Sequence, residues 1–65
     1  MITLNGQETA VRDNMSIAEL LLEKEFRINL VAVEYNGQIP PKSELDKIIL
    51  KDGDVLEVVS FMGGG

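Results

Sequence analysis

The sequence predicts an α+β fold in which one main helix packs on one face of a mixed sheet of four to five strands. Two Asn-Gly pairs, at residues 5–6 and 36–37, each follow an alternating apolar segment, and this pair is the strongest short signal for a β-hairpin. One helix signal lies between the two hairpins, and another alternating segment follows at residues 55–61. With 65 residues, the chain predicts a single small domain.

The first hairpin is predicted from residues 1–11. Residues 1–4 alternate between apolar and polar, which places Ile2 and Leu4 on one face. The turn follows at residues 5–6, and residues 7–11 return as the second strand.

The helix start is predicted by its capping residues. Ser16 can accept the backbone N–H of Glu19, and the Glu19 side chain can return to the backbone N–H of Ser16, which forms a capping box. Met15 and Leu20 are spaced to form a hydrophobic staple around this cap.

The helix is expected to run from Ile17 to about Glu25. Its core-facing residues are Ile17, Leu20 and Leu21. Asn29 is the predicted left-handed residue after the helix, because asparagine tolerates that conformation. If the helix extends far enough, Glu23 is expected to pair with Arg27.

The second half predicts a hairpin and a final strand. Residues 30–35 form the third strand with Val31 and Val33 inward, and residues 38–39 form a short fourth strand that ends at two prolines. Residues 43–46 predict one helical turn that places Leu45 in the core. The last strand, residues 55–61, directs Leu56 and Val58 inward.

A helix between two hairpins, covering one face of a mixed sheet, is the β-grasp arrangement. Parallel strands are normally separated by a crossover connection such as one containing a helix. We therefore expect the first and last strands to pair in parallel at the centre of the sheet.

Composition excludes several classes of function. The formal charge is −5 with a pI near 4.4, and six scattered basic residues do not form the cluster that nucleic acid requires. Without cysteine or histidine, disulfides, thiolate zinc sites and cysteine nucleophiles are excluded. No apolar run approaches the ~18 residues of a membrane span, and no leader pattern opens the chain. The sequence therefore predicts a cytoplasmic protein without a membrane partner.

The body of the chain offers few candidates for acid–base chemistry. The acidic residues at 23–25 are interpreted as a solvated helix face, and Asp52 and Asp54 as part of a turn in which aspartate accepts backbone hydrogen bonds. Tyr35 is expected to pack rather than react. No catalytic residue and no metal site are predicted.

The end of the sequence, Phe61-Met62-Gly63-Gly64-Gly65, is the strongest functional candidate. We divide the chain into a β-grasp domain, residues 1–61, and a flexible glycine tail, residues 62–65. Glycine-rich ends are often linkers, but these glycines follow directly on an apolar strand. Without side chains they can lie extended in a narrow channel and deliver the α-carboxylate of Gly65.

These features together resemble a known family. The terminal diglycine at 64–65 is its strongest motif, and the turn at 51–54, the strand at 31–33, the Asn-Gly at 36–37, Pro41 and Ser43-Glu44 are similar as well. The whole chain resembles the ubiquitin-like sulfur carriers, and most closely the ThiS family of thiamine-thiazole biosynthesis.

The resemblance implies a co-substrate rather than an enzyme. A partner of the ubiquitin-activating type would use ATP to adenylate Gly65, and a sulfur donor protein would convert it to a thiocarboxylate. Thiazole synthase would then receive the sulfur. Gly63 and Gly64 would thread the partner's channel, and the chain would need no cofactor of its own.

The partner-docking surface is expected beside the tail. By strand alternation Val59 and Phe61 point away from the core, with Ala32 as a neighbour, and Met62 follows them. Phe61 then either faces a partner or folds back onto its own sheet. Three alternatives remain open at this point: a molybdopterin-type sulfur carrier, a ubiquitin-like protein modifier, and a β-grasp binding module with an inert tail.

Overall fold

Four strands and one α-helix form the fold of residues 1–60, which are the residues that the computed structural model describes. The elements are β1 (Ile2–Leu4), β2 (Gln7–Thr9), α1 (Ile17–Glu23), β3 (Val31–Tyr35) and β4 (Val55–Ser60), with short 3₁₀ helices at Ile28–Leu30 and Lys42–Glu44.

The sheet has the order β2-β1-β4-β3 and is mixed. Strands β1 and β4 are parallel at its centre, with Thr3 opposite Val55 and Leu4 opposite Leu56. The outer pairs, β1 with β2 and β3 with β4, are antiparallel. The predicted β-grasp topology is thereby confirmed, including the parallel central pair.

Both Asn-Gly turns form as predicted, but the strands that follow them are shorter than expected. The φ angles are 50° and 82° at Asn5 and Gly6, and 50° and 85° at Asn36 and Gly37, the left-handed values that type I′ turns require. Strand β2 ends at Thr9 rather than at residue 11. The short strand predicted at residues 38–39 is wrong: Gln38 forms one isolated bridge with Tyr35. Proline at 40 and 41 supplies no N–H to extend that ladder.

The capping box at the helix start is confirmed. The Glu19 N–H donates to Ser16 Oγ at 3.1 Å, and the Ser16 N–H donates to Glu19 Oε1 at 2.9 Å. Met15 and Leu20 are both buried, as the staple requires. Because the cap satisfies amides that have no partner within the helix, Ser16 determines where α1 begins.

Replacing Ser16 with alanine is expected to lower the free energy of unfolding by about 1 kcal/mol, since it removes the hydroxyl acceptor of this cap. Chemical denaturation of the variant and the parent measures the difference. Ser43→Ala, in an exposed 3₁₀ turn, is the matched control and should have little effect. An unchanged midpoint for Ser16→Ala would show that the cap contributes nothing to stability.

The helix ends earlier than predicted, and the predicted left-handed residue is wrong. Glu25, with φ of 66°, takes that conformation, whereas Asn29 lies in the 3₁₀ helix Ile28–Leu30. The Phe26 N–H donates to the Leu21 carbonyl at 2.8 Å and the Glu25 N–H to the Leu22 carbonyl at 3.0 Å, which defines a Schellman motif. Phe26 packs against the core directly after this turn and so fixes its position.

The last two residues of α1, Leu22 and Glu23, are both exposed. Leu22 lies on the outer side of α1 with 70% of its surface exposed. The conditional pair of Glu23 with Arg27 does not form, because α1 ends at Glu23 and that carboxylate pairs with Arg12.

Glu25→Gly is expected to raise the free energy of unfolding by about 0.5–1 kcal/mol. Glycine removes the ~1–2 kcal/mol cost of the left-handed conformation, and part of that gain is offset by greater freedom in the unfolded chain. Lys24→Gly, one residue earlier at an ordinary φ of −87°, should instead destabilise. If thermal denaturation shows that Glu25→Gly and Lys24→Gly lower stability equally, this account of the turn is contradicted.

The core lies between α1 and the inner face of the sheet. Its buried apolar residues are Ile2, Leu4, Met15, Ile17, Leu20, Leu21, Val31, Val33, Leu45, Leu50, Leu56 and Val58. Every inward position predicted for the strands and the helix is confirmed, and so is the buried Leu45. No helix in residues 1–60 is long and apolar enough to cross a membrane.

Candidate functional site

The turn before β4 is built around the carboxylate of Asp54. Its side chain is nearly buried and accepts three hydrogen bonds, from the backbone N–H of Lys51 at 2.8 Å, from Tyr35 Oη at 2.9 Å and from Asn36 Nδ2 at 3.1 Å. Asp52, by contrast, is exposed and pairs with the Met1 ammonium at 2.8 Å. The interpretation of Asp52 and Asp54 as turn residues is confirmed.

The protonation states of Asp54 and Tyr35 suit a structural role. Burial opposes ionisation of Asp54, but the hydrogen bonds from Lys51, Asn36 and Tyr35 outweigh it and lower the pKa of the carboxyl group. Burial, together with the hydrogen bond to Asp54, raises the pKa of Tyr35. An ionised Asp54 and a neutral Tyr35 therefore tie β3 to the turn before β4, and this pair offers no proton to exchange near neutral pH.

The other acidic candidates do not form a site either. Glu23 makes an exposed ion pair with Arg12, and Glu25 lies in the turn after α1. Among residues 1–60, no three acidic side chains come together in a way that could hold a metal ion. Within residues 1–60, Asp54 therefore serves a turn, and Asp52 and Glu23 serve ion pairs.

The last strand is held in place beyond the end of β1 by one side chain, Asn5, that the sequence analysis did not single out. The Val58 N–H donates to Asn5 Oδ1 at 2.7 Å, and Asn5 Nδ2 donates to the Val58 carbonyl at 3.3 Å. The Asn5 amide thus mimics a backbone group and extends the β1–β4 ladder after β1 has turned away. The residue is visible in the sequence only as a turn residue. Its effect is to hold the backbone of β4 at Val58, beyond the last residue of β1.

An exposed apolar surface lies on the outer face of the sheet beside the end of β4. Val59 is 62% exposed and stands opposite Ala32, so the predicted outward orientation of Val59 is confirmed. This surface contains a hollow of about 210 Å³, the outer-face hollow, which is lined by Ala32, Val33, Glu34, Ile39, Glu57 and Val59. Ile39 is 72% exposed, and its place in this hollow was not predicted because Ile39 had been assigned to a strand.

The remaining predicted site residues lie outside the described part of the chain. They are Phe61, Met62, Gly63, Gly64 and Gly65. Of the predicted docking residues, the structure therefore places Val59 alone, one residue before Ser60, the last residue described.

Known proteins are similar to this chain over its whole length. The model of the ThiS family matches residues 2–65. The chain is 36% identical over 66 residues to the sulfur carrier protein ThiS of Bacillus subtilis, with 100% of both chains covered. The crystal structure of the thiamine biosynthesis protein ThiS from Geobacter metallireducens matches with a TM-score of 0.82 and 34% identity, covering 98% of this chain and 97% of that one.

A much longer relative is similar as well. The chain is 41% identical over 64 residues to a thiazole synthase of Paramagnetospirillum magneticum. The match covers 98% of this chain and 20% of that protein, so the chain spans about a fifth of the length of this relative.

Proposed function

The chain belongs to the ThiS family of sulfur carrier proteins of thiamine biosynthesis, and on that premise we propose that Gly65 is the residue that carries the sulfur. The proposal is supported mainly by the match to the Bacillus subtilis sulfur carrier over the full length of both chains. A carrier is a co-substrate, and this role agrees with the structural use of Asp54 in a turn and of Asp52 and Glu23 in ion pairs.

The proposed chemistry starts at the terminal carboxylate, which is a poor electrophile because its own charge repels nucleophiles. An adenylating partner transfers AMP from ATP to this carboxylate, and pyrophosphate leaves. A sulfur donor protein then supplies sulfur at the oxidation level of sulfide, which attacks the carbonyl carbon and displaces AMP. The product is an anionic thiocarboxylate on Gly65, and the chain supplies no catalytic group or cofactor to either step.

Thiazole synthase is the proposed acceptor of the sulfur. In Paramagnetospirillum magneticum a segment similar to this chain forms part of a thiazole synthase, which supports direct binding between the carrier and thiazole synthase. Gly63 and Gly64 are proposed to thread the channel of each partner, since a residue with a side chain would need a wider one. Because activation consumes ATP, we place the reaction in the cytoplasm.

Reconstitution tests the proposal. The protein is incubated with ATP, an adenylating enzyme of the ubiquitin-activating type and a sulfur source, and its intact mass is measured. The mass should rise by the difference between sulfur and oxygen, and added thiazole synthase should reverse the gain as it forms product. Transfer to a molybdopterin precursor instead would identify the related carrier, and amide bonds to lysines of other proteins would identify a modifier. An unchanged mass under all conditions would refute the carrier function and favour a β-grasp binding module with an inert tail.

Docking of the adenylating enzyme is proposed at the outer face beside the tail, through Val59, Phe61 and Met62. Phe61→Ala should weaken binding of that enzyme more than it weakens the fold, because an aromatic ring at a docking surface adds contact area. Val55→Ala, on the same face but at the far end of β4, is the matched control. Equal affinities of the Phe61 variant and the parent, at matched stability, would assign docking to another surface.

A further inference from the structure

Two glutamates face each other directly on the outer face of the sheet. Glu34 on β3 and Glu57 on β4 are register partners, and both side chains are exposed. Like charges at directly opposed positions destabilise a sheet. The ion pairs found within residues 1–60 join Met1 to Asp52 and Arg12 to Glu23, so neither glutamate is neutralised by the described part of the chain.

The same two glutamates line the outer-face hollow, and its other lining residues are apolar. Ile39 and Val59, the most exposed apolar residues on this face, line it together with Ala32. A hollow lined by apolar side chains and by two opposed glutamates fits a side chain with an aliphatic stem and a cationic head. Arginine fits best, because its planar guanidinium has donors on two sides and can reach two carboxylates at once.

We propose that the outer-face hollow receives an arginine side chain of thiazole synthase when the carrier docks. The inference rests on the proposed function and deepens it by naming the contact that recognises this partner. The guanidinium lies between Glu34 and Glu57, and its stem packs on Ile39 and Val59. Binding of the guanidinium then removes the repulsion between Glu34 and Glu57 that destabilises the free carrier.

The position and charge of the hollow support this occupant. Val59 immediately precedes the end of the described strand, so a partner anchored there holds the tail at its own surface. The chain carries a net charge of −5, which attracts a basic surface and speeds encounter with it. The hollow itself is small, about 210 Å³, which suits one side chain.

The double variant Glu34→Gln/Glu57→Gln tests the proposal because its two expected effects have opposite signs. Relief of repulsion should raise the denaturation midpoint of the free protein. Loss of the charge pairing should raise the Kd for thiazole synthase about tenfold in titration calorimetry, and make that Kd less dependent on salt. Glu44→Gln/Asp46→Asn, which removes the same charge from an exposed loop outside the hollow, should change the Kd less than about twofold.

Three results would overturn the inference: an unchanged Kd for the Glu34/Glu57 variant, a change equal to that of the control, or a weaker effect on thiazole synthase than on the adenylating enzyme. Sulfur loading of the parent is measured in parallel to separate this inference from the proposed function. A loaded parent with normal binding by the variant refutes the arginine contact alone, whereas a parent that is never loaded refutes the carrier function.

Discussion

Removal of Gly65 is expected to abolish sulfur loading while the body stays folded. The deletion shortens the tail by one extended residue, ~3.5 Å, and moves the carboxylate away from the activated phosphate by that distance. A misplacement of ~1 Å can already cost ~100-fold in rate, so loading should fall by at least about 100-fold. Intact-mass measurement under the reconstitution conditions follows the loading rate.

Stability of the same variant provides the control. Every buried core residue of the described chain precedes Ser60, so the thermal midpoint of the truncated protein should equal that of the parent. If the truncated protein is loaded at the parental rate, the carboxylate of Gly65 is not the reactive group and the carrier mechanism is wrong.

Replacement of Asp54 with alanine is expected to cause the largest loss of stability, about 2–3 kcal/mol. It removes a nearly buried anionic acceptor from Tyr35, Asn36 and the Lys51 N–H, and hydrogen bonds to charged groups contribute more than neutral ones. A domain of this size has a total stability of about 3–10 kcal/mol, so the loss is large. Asp52→Ala, two residues away with a side chain 91% exposed, should change stability by less than about 0.5 kcal/mol.

The pH dependence of stability follows from the lowered pKa of Asp54. The fold favours the ionised carboxylate, so this contribution is fully present above the ordinary pKa of 3.8 and is lost as the pH falls through the lower folded-state value. Denaturation at a series of acidic pH values should show a decline in the parent that is shallower in Asp54→Asn. Parallel curves for the two proteins would show that another carboxylate controls the acid transition.

Local sequence signals predicted most of the fold because they act over a few residues. The two Asn-Gly turns, the Ser16–Glu19 cap and the inward alternation of Leu56 and Val58 all appear as expected. Each depends on one backbone conformation or one periodicity that the neighbouring residues already determine.

The errors arose where tertiary packing overrides residue preference. Asparagine is the better left-handed residue, yet Glu25 takes that position because packing of Phe26 against the core determines where the chain leaves the helix. The predicted strand at residues 38–39 failed because the alternation continues into prolines that cannot extend the ladder.

The candidate site was predictable in part. Alternation identified Val59 as an outward residue. The reactive role of the glycine tail stays a prediction. The Glu34–Glu57 pairing and the Asn5 clamp on Val58 depend on strand register, which links residues 23 and 53 positions apart in sequence. A single sequence does not specify that register, so these contacts required the structure.

Locating the added sulfur within the protein tests the central claim most directly. The loaded protein is fragmented intact in the mass spectrometer, and N-terminal and C-terminal fragment series are compared with those of the unloaded protein. The account predicts that every fragment containing Gly65 gains the difference between sulfur and oxygen, and that fragments ending at Gly64 or earlier gain nothing. A gain in any fragment that lacks Gly65 would contradict it.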